Sequence, residues 1–143
     1  MVSVSRTFVV DKPVDTVLAY LADFSNAVTW DPGTQSCTPA DSSPVAIGKT
    51  WHNVSKIAGV TTEIDYTLEE YDGSHVLLVG RNKTAKSEDR IAVRPHPEGS
   101  EVTYRAVITF NGAAKLGTPL IRLVFEYMGN KTETGIRSAV AAL

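Results

Sequence analysis

The sequence predicts an α+β fold in which an antiparallel sheet closes against one long C-terminal helix. Three observations carry the prediction. Residues Thr118 to Leu143 form a one-sided helical pattern, and everything before them except Pro13 to Trp30 reads as strand. Turn residues also recur between those runs at strand spacing. A helix with a long apolar stripe and a narrow solvent face needs a broad surface to cover it, and only the preceding sheet is large enough. If that sheet curves, a cavity lies between the two.

The elements follow in order. Residues 2 to 10 alternate as a strand, and Asp11-Lys12-Pro13 then switches the period, with Asp11 as a cap and Pro13 in the first helical turn. Val14, Val17, Leu18 and Leu21 share one face of a short helix. The Asp23-Phe24-Ser25 break precedes a second, holding Ala27, Val28 and Trp30 and ending at Asp31-Pro32-Gly33. Ser42-Ser43-Pro44, Ala58-Gly59, Asp72-Gly73-Ser74 and the run from Pro95 to Ser100 then delimit about six strands. Asp72-Gly73 is a strong hairpin signal, because type I′ and related turns need positive φ, which glycine and Asp tolerate. Val60 to Tyr71 is the clearest strand: Thr62, Ile64, Tyr66 and Leu68 alternate with Glu63, Asp65, Thr67 and Glu69.

Gly117-Thr118-Pro119 opens the last helix, with Thr118 as N-cap and Pro119 at its first position. Arg122, Glu126, Glu133 and Arg137 mark its solvent stripe; Leu120, Ile121, Val124, Met128, Ala139 and Ala142 lie opposite. Gly129 and Gly135 each cost about 1 kcal/mol relative to alanine, so a bend or a close backbone approach is expected there.

Length and composition fit a single domain over residues 1–143 with one sizeable core. The net charge is −2 and the 14 Lys and Arg are scattered, so no basic face marks a nucleic-acid partner. No leader pattern and no apolar run of roughly 20 residues occurs, which points to a cytoplasmic chain without stable membrane insertion. Cys37 stands alone and has no internal disulfide partner.

Three stretches are the most specific: RTFVVDKPVDTVLAYLADFSNAVTWDPG (Arg6 to Gly33), GKTWHNVS (Gly48 to Ser55) and the helix after Thr118-Pro119. With the element order, they make the whole chain resemble the helix-grip fold of the START-like (SRPBCC) superfamily. Within it, the chain is similar to the bacterial polyketide cyclase/dehydrase and lipid-transport family. The resemblance implies a seven-stranded antiparallel sheet wrapped around the C-terminal helix, with an elongated apolar cavity between them. It implies function only weakly, since such folds host many ligands and activities.

Strand parity looks into that cavity independently, because residues two apart share a face. Ser87 and Asp89 are in phase with Ile91 and Val93, and Tyr104 with Val102 and Ala106. Asn53 and Ser55 follow Trp51, Asn82 and Thr84 follow Gly80, and Arg6 precedes Phe8 and Val10. Any one of these is explained as a strand-end group bonded to a neighbour. About six together are costly unless they line a hydrated or liganded space. Asp89 is the sharpest: desolvated, it would have a raised pKa and act as general acid or base, whereas Arg6 or Lys131 beside it would hold it ionised. The ion pair is the preferred expectation. Lys131 itself falls near the middle of the buried helix face, as an anion anchor or a lysine snorkelling past the rim.

The aromatic residues Tyr20, Phe24, Trp30, Trp51, Tyr66, Tyr104, Phe110, Phe125 and Tyr127 suit a planar ligand, and core packing explains most of them equally well. His52, His75 and His96 have no metal-like spacing, with His52 on the exposed phase. No nucleophile triad and no phosphate or dinucleotide loop is present, and no cofactor is called for. The expected ligand contacts are therefore Tyr20, Phe24, Trp51, Asn53, Tyr66, Asn82, Asp89, Tyr104, Phe125 and Met128. The leading reading is a binder or carrier of a hydrophobic small molecule such as a lipid, polyketide or aromatic metabolite. The alternative is an aromatase/cyclase or dehydratase using Asp89, Tyr104 and Asn82; a third is a regulatory interaction module. Monomer and homodimer both stay open.

Overall fold

The computed structural model describes residues 1–112 and 118–143, without the side chains of 118–120. The chain runs β1 (Val2–Val10), α1 (Val14–Ala22), a 3-10 turn (Phe24–Asn26), α2 (Ala27–Trp30), β2 (Thr34–Pro39), β3 (Thr50–Ile57), β4 (Val60–Tyr71), β5 (His75–Arg81), β6 (Ala85–His96), β7 (Gly99–Phe110) and α3 (Thr118–Ala141). The strands form one curved antiparallel sheet in the order β1-β7-β6-β5-β4-β3-β2, which with α3 makes a helix-grip fold. Six strands follow each other as neighbours, and β1 joins the far edge beside β7.

Alternation sets what faces α3. In β6, Ala85, Ser87, Asp89, Ile91 and Val93 are buried while Lys86, Arg90 and Arg94 are exposed. Central strand β5 is buried on both faces. Its outward Leu77 lies between Glu70 and Arg90 in register, and the Arg90–Glu70 ion pair at 3.2 Å spans it. Beneath the sheet, Val17, Leu18 and Leu21 of α1 pack with Leu78, Ile91 and Val102 and close one end of the molecule.

Several expectations change. Asp11 does not cap α1: Pro13 precedes the helix with φ −64° and ψ 154° and no side-chain capping bond. The Asp11–Lys12 backbone is instead held against the start of β7, where the Ser100 hydroxyl donates to the Lys12 carbonyl at 2.6 Å. The positive-φ hairpin lies at Ala58-Gly59 (φ 52° and 81°), closed by the Ile57–Val60 pair, and not at Asp72-Gly73. Asp72 forms its turn through the side chain, accepting from the Ser74 and His75 amides at 2.7 and 2.9 Å.

The Gly117 start of the last helix, the Thr118 cap and the burial of Leu120 lie outside the described residues. Of the predicted apolar stripe, Ile121, Val124, Met128 and Ala139 are half-buried and Ala142 is exposed; the buried positions described are Gly129, Thr132, Ile136 and Val140. The stripe rotates because α3 crosses β1 and α2 at its two glycines. A Cβ on Gly129 would sit 2.6 Å from Val4 Cγ2, and one on Gly135 would sit 2.2 Å from the Trp30 carbonyl oxygen. Both glycines therefore serve close approach. Lys131 is exposed and stacks 5.2 Å from the Tyr127 ring centre, off the buried face. No described helix is long and apolar enough to cross a membrane.

Candidate functional site

Between the inner face of the sheet and α3 lies a cavity of about 460 Å³. Register gives its two ends. The ends of β3, β5 and β7 and the starts of β1, β4 and β6 come together on one side, so Val2, Ile57, Val60, Phe110 and Ile121 form an apolar mouth. Phe24, Trp30, Tyr66, Asp89 and Tyr104 form the inner end.

The inner end is built from cross-strand geometry. Asp89 stands opposite Ala106, and Tyr104 is its diagonal neighbour on the same face. The long phenol reaches back so that its hydroxyl donates to Asp89 Oδ1 at 3.1 Å. Tyr66 lies in one row with Gly80 and Ser87. A Cβ on Gly80 would meet the Tyr66 ring at 2.8 Å, so the glycine opens the path by which the phenol crosses β5 to the Ser87 hydroxyl. Phe24 packs on Tyr66 with ring centres 4.6 Å apart, and Trp30 meets Tyr104 edge-on at 6.0 Å.

Asp89 is only 6% exposed, and no cation pairs with it among the described residues. Burial, and then the nearby Asp31 carboxyl, push its pKa up to about 7, while the Tyr104 hydrogen bond pulls weakly the other way. The expected ion pair is thus replaced by a carboxyl poised at neutrality. Arg6 is engaged elsewhere: it donates to Asn130 Oδ1 at 3.0 Å, to the Glu126 carbonyl at 2.9 Å and to Glu126 Oε2 at 3.1 Å, tying β1 to α3. Burial and the Asp89 charge push the Tyr66 and Tyr104 phenols well above their ordinary range, so both remain proton donors.

Of the expected contacts, Phe24, Tyr66, Asn82, Asp89, Tyr104, Phe125 and Met128 line the cavity; Tyr20, Trp51 and Asn53 do not. Tyr20 turns its hydroxyl to Thr29. Trp51 is buried under the 3-10 turn and donates to Ser25 Oγ at 3.1 Å. Asn53 sits in a chain in which Ser55 Oγ donates to Asn53 Oδ1, Asn53 Nδ2 to Thr34 Oγ1 at 3.1 Å, and Thr34 Oγ1 to Asp31 Oδ2. Asn82 is at the mouth, away from Asp89. Its amide is committed to the β5–β6 turn, accepting from the Thr84 and Ala85 amides and donating to the Glu63 carbonyl at 3.0 Å. The trio Asp89, Tyr104 and Asn82 is therefore not brought together; the first two are.

One residue of the inner end was not expected there. Asp31 reads in sequence as a turn residue before Pro-Gly, yet it lines the cavity and desolvation raises its pKa against its bonds to Thr34 and the backbone of Gly33 and Thr34. Trp30, read in sequence as an apolar helix position and as one of the aromatics suited to a planar ligand, is there too. It is 3% exposed, it lines the cavity, and its indole Nε1–H has no hydrogen-bond partner among the described residues. Cys37 is buried on β2, and its thiol is pushed up to about 11, mainly by burial, which suits packing rather than reactivity.

Solved structures share this architecture at low sequence identity. A Thermus thermophilus protein, TTHA0849, superposes with a TM-score of 0.79 at 14% identity over 99% of this chain and 97% of its own. A START superfamily protein from Mycobacterium smegmatis does so with 0.79 at 13% identity over 98% and 97%. The Zhui aromatase/cyclase from Streptomyces sp. R1128 gives 0.74 at 13% identity over 98% and 91%. No curated protein sequence matches the chain. Residues 1–142 match the family model described as polyketide cyclase / dehydrase and lipid transport. With that match over nearly its whole length and the helix-grip architecture around an internal cavity, the chain belongs to the polyketide cyclase/dehydrase and lipid-transport family.

Proposed function

We propose that this protein binds or carries a hydrophobic small molecule, such as a lipid, polyketide or aromatic metabolite, between its sheet and α3. The observation that carries this reading is the cavity itself. At about 460 Å³ it exceeds the roughly 300 Å³ at which drug-sized ligands become plausible, and its apolar wall ends in a small polar cluster. That volume also weighs against a regulatory module with a filled interior. Native mass spectrometry of the purified protein, followed by extraction and identification of retained molecules, tests it. A retained apolar molecule is the expected result; empty protein that also fails to bind a panel of lipids and polycyclic aromatics sinks the reading.

One observation favours an enzymatic second reading. Asp89 and Tyr104 are within hydrogen-bond distance of each other and border the same space, and a carboxyl with a pKa of about 7 is matched to proton transfer at neutral pH. In a cyclase or dehydratase, Asp89 would move the proton and Tyr104 would hold a developing oxyanion. Asn82 takes no part in this version. Turnover of a poly-β-ketone substrate that disappears in Asp89→Asn, while the variant still binds apolar ligands, separates enzyme from carrier.

A further inference from the structure

The groups at the inner end are unusual as a set. Two carboxyls, Asp31 and Asp89, line the cavity, and among the described residues no Lys, Arg or His does. The other buried polar groups that line it are the phenols of Tyr66 and Tyr104 and the hydroxyls of Ser55, Ser87 and Thr132. An anion placed there would lose its hydration without meeting a counter-charge and would face two acidic groups. An uncharged oxygen loses far less hydration on entry and meets hydroxyl groups there rather than like charge.

We infer that the cavity selects by charge. It takes an uncharged apolar molecule bearing a ketone or phenol oxygen, seated at the hydroxyl cluster of Tyr66, Ser87 and Tyr104, and it excludes the carboxylate or phosphate analogue of the same shape. The inference rests on the hydrophobic-ligand reading above. It divides the candidate ligands in two: ketones, phenols and neutral lipids lie on one side, free fatty acids and phospholipid headgroups on the other.

The test uses three fluorescent probes of one shape, pyrene, 1-acetylpyrene and 1-pyrenecarboxylate, titrated at pH 8. Pyrene and acetylpyrene bind, and the carboxylate binds at least about 100-fold more weakly than the ketone, since like-charge juxtaposition costs several kcal/mol. Asp89→Asn removes one of the two acids and narrows that gap by about tenfold or more. Tyr66→Phe keeps an aromatic ring and removes a hydroxyl; it weakens acetylpyrene by about fivefold and leaves pyrene unchanged. Thermal melts check that each variant folds, and if Tyr66→Phe does not, the wild-type probe series and Asp89→Asn decide the matter. Equal affinities for ketone and carboxylate, or binding of pyrene alone, overturn the inference while the hydrophobic cavity stands. Failure of all three probes, with nothing retained in native mass spectra, brings down both.

Discussion

A buried carboxyl without a counter-ion imposes a pH signature on stability. The folded-state pKa of Asp89 is about 7, against an ordinary 3.8, so between those values the folded protein holds a proton that the unfolded chain has released. Stability therefore falls as pH rises from about 4 to about 7 and levels off above. The accumulated cost is roughly 4 kcal/mol. Asp89→Asn keeps an oxygen to accept from Tyr104 and removes the titration. In urea unfolding series the variant gains stability over wild type at pH 8 and loses that advantage near pH 4; parallel curves would show that Asp89 does not carry the effect. A second residue acts through space it leaves empty. Gly80→Ala places a methyl against the Tyr66 ring, and overpacking of that kind costs about 1–3 kcal/mol. It also moves the phenol off Ser87, so a loss of ligand affinity beyond the loss of stability is expected in probe titrations.

At the scale of elements, strand parity was the most legible signal. It put Ser87, Asp89 and Tyr104 on the inner face because alternation is a property of the extended chain and needs no partner to define it. Turn chemistry was less so: both Ala58-Gly59 and Asp72-Gly73 end strands, but which takes positive φ depends on how the flanking strands twist and on whether a side chain, as in Asp72, can supply the turn's hydrogen bonds. The face of α3 was partly hidden for a related reason. Periodicity gives a stripe, while the crossing angle is set by where the helix axis can come close, and Gly135 against the Trp30 carbonyl is the closest point. Gly135→Ala should destabilise the fold by about 3 kcal/mol or more, because the atom in the way is backbone. A melting temperature within a degree or two of wild type would refute that contact.

For the molecule as a whole, the fold was readable and the cavity lining was readable in part. The sheet, the V of short helices and the closing helix follow from patterns local to each segment. The inner end of the cavity does not: Asp31 and Trp30 reach it only because α2 is trapped under α3, and Arg6 leaves it for the same helix. That helix is held unevenly. Gly129, Thr132, Ile136 and Val140 are buried, whereas Leu123 and Tyr127, near the mouth, are 70% and 62% exposed. Hydrogen exchange should accordingly rise along α3 from Val140 back toward Ile121, and uniform protection would contradict this. The tight glycine crossings then give the helix a fulcrum: its exposed arm is the part free to lift, while the acidic floor with its aromatic neighbours stays packed under the held end.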